Sequence, residues 1–142
     1  MDDILKEKLW FYIIHNNPEL MFTLQEEYNA LSYLNEKVNG VKSILEDMLS
    51  EGTPQYIIEE ICLNVLTEDL KPSRFTYIRS LLAEEFEKTY TIFHESSILT
   101  YEVINLMESC KEVFETIGFT NENEEDPTLR NALIGQIADY LS

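Results

Sequence analysis

The sequence predicts an all-α fold, a single-domain bundle of about six helices with orthogonal or irregular packing. Apolar residues recur three or four positions apart in nearly every stretch of the 142-residue chain, which is the spacing of one face of an α-helix. With only four glycines and four prolines, the chain has few residues for the many tight turns of a β architecture. Because no long linker divides the chain, we expect one domain over residues 1–142.

The first two helices are predicted from an apolar run and a long apolar stripe. Helix one covers about residues 3–15 and ends before Pro18, because the residue that precedes a proline avoids the helical region. It is apolar around most of its circumference, which predicts a helix packed on more than one side. Helix two is predicted as one long helix over about residues 21–50. Its stripe passes through Gly40 without a change of phase, and Gly52 is expected to end it. The residues of this stripe are expected to face the core: Leu24, Tyr28, Leu31, Leu34, Val38, Val41, Leu45 and Met48.

The remaining helices are predicted from their N-cap residues. Thr53 is expected to cap helix three, which runs to about residue 69, Ser73 to cap helix four, and the pair Ser96–Ser97 to open helix five. A solvated loop over 120–127 precedes a last helix at about 128–141. Helix five carries apolar residues at the heptad spacing of a bundle seam: Leu99, Val103, Leu106, Cys110, Val113 and Ile117.

The charge of the chain excludes several classes of partner. Twenty-seven acidic and ten basic residues give a net charge of −17, which repels nucleic-acid phosphates and anionic membranes. The longest apolar run, Leu9–Ile14, is far too short to span a bilayer. We therefore expect a cytoplasmic protein with no direct contact to nucleic acid or membrane.

Residues suited to catalysis or metal binding are few and scattered. His15 and His94 are expected near helix C-termini, where a cation complements the helix dipole. Cys62 and Cys110 fall on apolar stripes, so we expect reduced core thiols, with a disulfide or a reactive thiol as the alternatives. A zinc site needs clustered ligands and a di-iron bundle needs Glu-x-x-His pairs. The sequence shows neither, and we expect no enzyme, no metal and no cofactor.

The acidic loop offers one weak cation-binding pattern. Asn121, Asn123 and Glu125 alternate as at the start of a calcium loop, but the glycine and the bidentate glutamate that such a loop requires are missing. A solvated acidic loop is the expectation, and a specific cation site is the alternative.

Three tyrosines are candidates for an interface. Four of the eight tyrosines fit core-facing stripes: Tyr12, Tyr28, Tyr90 and Tyr140. By contrast, Tyr33, Tyr77 and Tyr101 lie off the main stripes of their helices. Tyrosine is enriched at recognition surfaces because it combines a large contact area with a polar end. The alternative is that these three residues pack on secondary faces within the bundle.

The order of several short motifs resembles a known family. These are Leu9-x-x-Tyr12-Ile13, Asn17-Pro18-Glu19-Leu20, Leu81-Leu82-x-Glu84-Glu85-Phe86, Cys110-x-x-Val113-Phe114, and a closing helix with Gly135 and Ile137. Together they resemble an uncharacterised domain family of small, acidic, all-helical proteins from gut and oral anaerobic bacteria. The resemblance implies an all-α fold, and it assigns no activity and no functional residue.

The leading functional prediction is a non-enzymatic interaction or accessory module that binds another protein, with a homodimer left open. The runner-up is an acidic DNA mimic that blocks a nucleic-acid-binding protein. Mimicry needs acids concentrated on one face, but nine of them lie in residues 1–50, nine in 51–100 and nine in 101–142. An even distribution favours a solvated surface and therefore the interaction module.

Overall fold

A computed structural model describes all 142 residues and confirms the all-α class. The chain forms ten α-helices and one 3₁₀ turn: α1 Asp2–Asn16, α2 Pro18–Glu26, α3 Ala30–Asn39, α4 Lys42–Ser50, α5 Gln55–Leu66, the 3₁₀ turn Glu68–Leu70, α6 Arg74–Glu85, α7 Glu87–Glu95, α8 Leu99–Ser109, α9 Lys111–Ile117 and α10 Pro127–Leu141. The expected number of six helices is wrong, because three of the expected helices are divided into shorter ones.

The helices form two compact units, which we call the N-terminal unit, Met1–Leu70, and the C-terminal unit, Lys71–Ser142. The N-terminal unit contains α1 to α5 and the 3₁₀ turn, and the C-terminal unit contains α6 to α10. Each unit has its own cluster of buried apolar side chains. The expectation of one domain over residues 1–142 stays a prediction.

The N-terminal unit is built around α1. Leu5, Leu9 and Ile13 lie four residues apart and are completely buried, so one stripe of α1 enters the core. This helix contacts α2, α3 and α5. The other buried members of the cluster are Leu34, Val38, Val41, Leu45, Met48, Ile58, Cys62 and Leu66.

The long second helix of the sequence prediction is wrong, because two turns divide it into α2, α3 and α4. Tyr28 takes a left-handed conformation with φ +57°, which ends α2. Val41, with φ −108° and ψ 5°, separates α3 from α4. The apolar stripe still faces the core on both sides of the second turn, since Val38 and Val41 are both buried. Tyr28 itself is 95% exposed, so its expected place on a core-facing stripe is also wrong.

The predicted caps were right at one of three places. The backbone N–H of Thr76 donates to the Ser73 hydroxyl oxygen at 3.1 Å, so Ser73 caps α6 as expected. Thr53 makes no such cap, because α5 begins one residue later than predicted, after Pro54. Ser96–Ser97 ends α7 instead of opening the next helix, which begins at Leu99.

The C-terminal unit packs α6 and α8 against each other, with α10 against α8 and α9. The predicted fourth helix divides at Phe86, whose φ is −134°. The predicted heptad stripe divides at Cys110, between α8 and α9. Beyond that division Phe114 is buried and Val113 only half-buried, because the turn shifts the register of the core by one residue. The heptad prediction is therefore correct for α8 and wrong for α9.

Candidate interaction surface

The first helix presents a second apolar face to solvent. Its run from Leu9 to Ile14 is apolar around most of the helix. Only the stripe of Leu5, Leu9 and Ile13 is completely buried, and Trp10 packs partly against the core. Phe11 is 65% exposed and Ile14 is also exposed. These two residues are three positions apart and therefore share one face of α1.

The larger of two grooves lies between this face and α5. Its volume is about 640 Å³, and its apolar lining consists of Trp10, Phe11, Ile14 and Leu63. Glu7, Lys8, Tyr12, His15 and Asn16 supply the polar part of the lining. Apolar side chains therefore provide contact area along the groove, and charged groups stand at its edge.

A second groove of about 350 Å³ lies where α1 meets α3. Leu31, which is 67% exposed, lines it together with Ala30 and Leu34. Trp10 and Glu7 line both grooves, so the two grooves are adjacent. We use the name α1 surface for the apolar residues that the grooves share or contribute: Trp10, Phe11, Ile14, Leu31 and Leu63.

Two local contacts fix side chains at the edge of the larger groove. The imidazole ring of His15 lies 4.2 Å from the Phe11 ring, centroid to centroid. The Lys8 ammonium lies 3.4 Å from a carboxylate oxygen of Glu59 and so connects α1 with α5. Both histidines lie in the last turn of a helix, as expected, His15 in α1 and His94 in α7.

A strained residue stands beside the second groove. Tyr28 is the only aromatic residue of this chain with a positive φ, and a left-handed conformation costs about 1 kcal/mol or more for a residue other than glycine. Its side chain is almost entirely in solvent, so no packing of the ring offsets that cost. It lies between Gln25 and Leu31 in sequence, and both of these residues line the groove.

The three tyrosines predicted at an interface lie on three helices. Tyr33 of α3 packs against the core of the N-terminal unit, and burial, with the Asp69 carboxylate, raises the pKa of its hydroxyl. Tyr77 of α6 contacts the Phe119 ring edge-on at 5.3 Å. Tyr101 of α8 is exposed. The interface role of these residues stays a prediction.

A polar pocket of about 370 Å³ in the C-terminal unit surrounds Tyr77. The Arg130 guanidinium donates to Glu84 at 3.1 Å and to Glu85 at 2.7 Å, which joins α10 to the end of α6. Burial raises the pKa of the Tyr77 hydroxyl, and the Arg130 guanidinium opposes this shift. The cation here is already paired with two carboxylates, so the pocket is a structural ion-pair network.

The turn between α1 and α2 buries two acceptor atoms without a hydrogen-bond partner in the protein, Asn17 Oδ1 and Glu19 Oε2. Burial raises the pKa of the Glu19 carboxyl group, and hydrogen bonds from its own backbone and from Asn17 oppose the shift. Neither residue lines a groove described above.

Both cysteines are free thiols and buried, as expected, Cys62 in the N-terminal unit and Cys110 in the C-terminal unit. Burial raises the pKa of both thiols, that of Cys110 to about 11. No group of three or more His, Cys, Asp or Glu side chains is arranged to hold a metal ion.

The sequence pattern does not single out Phe11, Ile14 or Leu31 as surface residues. The available signal was the apolar character of α1 on all sides, which shows a second apolar face but not whether the protein itself covers it. Leu31 even continued a predicted core stripe, and only the turn at Tyr28 rotates it into solvent.

None of the helices has the length and apolar character required to cross a membrane.

Comparisons with known proteins identify the family of this chain and nothing further. No curated protein and no solved structure matches the sequence. A family model described as a domain of unknown function matches residues 6–142, which confirms the resemblance to an uncharacterised family. The chain belongs to the DUF1896 family.

Proposed function

We propose that this protein is a non-enzymatic interaction module of the cytoplasm that binds another protein through the α1 surface. The observation that carries the proposal is the exposure of Phe11 and Leu31, each about two-thirds in solvent, on grooves that share Trp10. Contiguous exposed apolar side chains with a polar rim are typical of binding sites. Aromatic anchors, tryptophan above all, supply a large part of the affinity at such sites.

The dimensions of the grooves support binding of side chains. Volumes of about 640 and 350 Å³ lie within the usual range of ligand pockets, roughly 300 to 1,000 Å³. The two grooves are adjacent, which suits a partner that inserts several side chains along a surface. The lining is mainly apolar, and its Lys8 and His15 side chains already contact Glu59 and Phe11, which favours binding over catalysis.

The exposed ring of Tyr28, which lies between the groove residues Gln25 and Leu31 in sequence, gives further support. An exposed ring beside the second groove is suited to contact a partner. The buried free thiols support the cytoplasmic part of the proposal, because reduced cysteines are typical of reducing compartments.

The test is a photo-cross-linking residue, benzoyl-phenylalanine, placed at Phe11 and, as a matched control, at Ile92. Ile92 is an exposed apolar residue of α7 in the C-terminal unit. We expect a specific adduct from position 11 in the native cell and none from position 92. Phe11→Ala should then weaken binding of the identified partner at least about tenfold, which is about 1.4 kcal/mol. Equal adducts at both positions, or equal affinities of Phe11→Ala and Ile92→Ala, would contradict the proposal.

A further inference from the structure

The turn between α1 and α2 contains two oxygen atoms that are buried without a hydrogen-bond donor, Asn17 Oδ1 and Glu19 Oε2. Only 8% of Asn17 is exposed. A buried acceptor without a donor destabilises a folded protein, and it does so more strongly when the group is charged. Native proteins contain few such atoms, so two of them in one turn indicate that something supplies the missing hydrogen.

The side chains of Asn17 and Glu19 are already joined by one hydrogen bond. The Asn17 amide nitrogen donates to the Leu70 carbonyl oxygen at 3.5 Å, which fixes the orientation of the amide because a carbonyl can only accept. The same amide also donates to the Glu19 carboxyl group. Since Oε2 has no partner, this second bond reaches the other carboxyl oxygen, Oε1. The amide and the carboxyl group are thus left with one unpaired oxygen each.

Only a proton fits at these two oxygens. Neither atom has surface that a water molecule can reach, so a water or a metal ion has no room beside them, whereas a proton adds no volume. A neutral Glu19 carboxyl group can donate from Oε2 to Asn17 Oδ1 while Oε1 continues to accept from the Asn17 amide. One proton therefore satisfies both unpaired oxygens.

Charged neighbours do not account for the behaviour of Glu19. Helix α2 packs against α1 and α3, and Asn17 reaches the 3₁₀ turn through Leu70. The ionisable residues in the last two turns of α1, in α3 and in the 3₁₀ turn are Tyr12, His15, Tyr33, Glu36, Lys37, Glu68 and Asp69. Burial raises the pKa of Glu19, and hydrogen bonds from its own backbone and from Asn17 lower it. None of these ionisable residues contributes to the shift.

We propose that a proton held between Glu19 Oε2 and Asn17 Oδ1 closes the turn between α1 and α2 and makes this turn a pH-sensitive element of the N-terminal unit. In the ionised form, Oε2 shares a negative charge and stays buried without a donor. Because the pKa of Glu19 lies above its ordinary value of 4.5, the folded state binds the proton more tightly than the unfolded state. The stabilisation is complete below pH 4.5 and is lost as the pH rises through the pKa of the folded state.

The direct measurement is a titration of Glu19 in the full chain, followed through the NMR signal of its side-chain carboxyl carbon. Glu19→Gln assigns that signal by removing it. We expect Glu19 to titrate at a higher pH than the exposed glutamates, and the side-chain amide protons of Asn17 to shift with the same midpoint. A midpoint of Glu19 among those of the exposed glutamates, or Asn17 signals that do not follow it, would overturn the inference.

Glu19→Gln also tests the energetic consequence, because the glutamine nitrogen supplies permanently the hydrogen that the proton supplies. Glu26→Gln, at an exposed position of α2, is the control with the same change of charge. Unfolding in urea is followed through the fluorescence of Trp10, the only tryptophan, which packs against the core of the N-terminal unit. At neutral pH we expect Glu19→Gln to lower the unfolding equilibrium constant at least about fivefold. Glu26→Gln should change it less than about twofold.

The gain from Glu19→Gln should shrink to less than about twofold near pH 4, where the unmodified protein carries its own proton. A water molecule that entered the turn and donated to both oxygens would keep the carboxylate ionised, and Glu19→Gln would then bring no gain at neutral pH. That result, an equal gain with Glu26→Gln, or a gain that persists in full near pH 4 would overturn the inference.

Discussion

The His15 imidazole packs on the ring of Phe11 one helical turn earlier, and its Nδ1 atom lies 2.8 Å from the Phe11 carbonyl oxygen. The contact covers part of the phenyl ring, yet Phe11 stays mostly in solvent. The ring is therefore held in position at the groove without being buried. Binding a ring that is already ordered costs less side-chain entropy than binding a mobile one.

Phe11→Ala and Leu9→Ala should separate binding from folding within one helix. Leu9 is completely buried, so its truncation should cost about 2–5 kcal/mol of unfolding free energy. Phe11 is mostly exposed, and its truncation should change stability by no more than about 0.5 kcal/mol while it abolishes most of the partner affinity. Urea denaturation measures the first effect and a binding titration the second. A large stability loss with Phe11→Ala would mean that the ring serves the fold.

Three helix ends share one geometry, and only one of them uses glycine. At Tyr28, Gly52 and Ser97, φ is +57°, +75° and +62°. In each case the next residue donates a backbone hydrogen bond to a carbonyl five residues earlier, at 2.9 to 3.0 Å. This is the Schellman motif, which glycine fits best.

Glycine at these ends should therefore stabilise the fold. Tyr28→Gly and Ser97→Gly are expected to add about 0.5–1 kcal/mol to the unfolding free energy, because they relieve the left-handed strain at exposed side chains. Gly52→Ala should remove at least about as much. Chemical denaturation of the three variants is the measurement, and a loss of stability with Tyr28→Gly would show that the ring contributes contacts to the folded state.

These ends also explain which part of the fold the sequence could predict. The apolar period of residues 21–50 correctly identified Leu24, Leu34, Val38 and Leu45 as core, since a short turn can preserve the phase of a stripe. The turn at Tyr28 could not be predicted, because a tyrosine carries no signal for a positive φ. Gly52 does carry such a signal, and there the predicted end of the helix was right.

The candidate site was predictable only in part, for a different reason. Hydrophobic period shows which faces of a helix are apolar, and α1 was correctly expected to be apolar on several sides. Which of these faces the fold covers depends on contacts with α2, α3 and α5, and period carries no information about them. The criterion of lying off the main apolar stripe of a helix identified Tyr33 and Tyr77, whose rings pack against the two cores. The same criterion did not identify Phe11.

The shift of register at Cys110 gives a prediction for the C-terminal core. Phe114→Ala should cost about 3–5 kcal/mol, since the ring is buried among the core side chains, and Leu106→Ala about 2–5 kcal/mol. Val113→Ala should cost less than either because Val113 is only half-buried. Glu108→Ala, at an exposed position of α8, serves as the control and should stay within about 0.5 kcal/mol. A larger cost at Val113 than at Phe114 would restore the uninterrupted heptad seam.

Thiol ionisation should affect stability only at high pH. Burial raises the pKa of Cys110 from its ordinary value of 9.0 to about 11, so the folded state favours the neutral thiol. This contribution is fully present below pH 9 and is lost as the pH rises from about 9 towards 11. We expect Cys110→Ser to show a flatter fall of stability over that interval than the unmodified protein. An unchanged pH profile would contradict a thiol that stays neutral in the folded core.

The buried thiols should also resist reagents that attack thiolates. At pH 8 almost all of Cys110 is protonated in the folded state, and the thiolate is the nucleophile. We expect labelling by a disulfide reagent to be slow in buffer and to become complete in denaturant. Rapid labelling of one cysteine in the folded protein would identify that residue as reactive, the alternative that the sequence left open.

The salt dependence of partner binding separates the proposed module from DNA mimicry. A mimic would replace many phosphates with carboxylates, and its affinity would fall by several decades as salt screens those contacts. The α1 surface places only a few carboxylates beside an apolar centre, and apolar contacts are not screened. Between about 50 and 500 mM salt we expect the partner affinity to fall less than about tenfold, with Phe11→Ala lowering it at every salt concentration.

The predicted tyrosines complete this experiment. Tyr33→Ala, Tyr77→Ala and Tyr101→Ala are measured beside Phe11→Ala in the same titrations, and Tyr101→Ala is the cleanest of the three because its ring is exposed. A loss at Tyr101 as large as that at Phe11 would extend the interface to the C-terminal unit. A fall of several decades with salt, combined with no effect of Phe11→Ala or of the tyrosine variants, would reject the apolar interface. A face on which acidic residues are concentrated would then be the binding element, as mimicry requires.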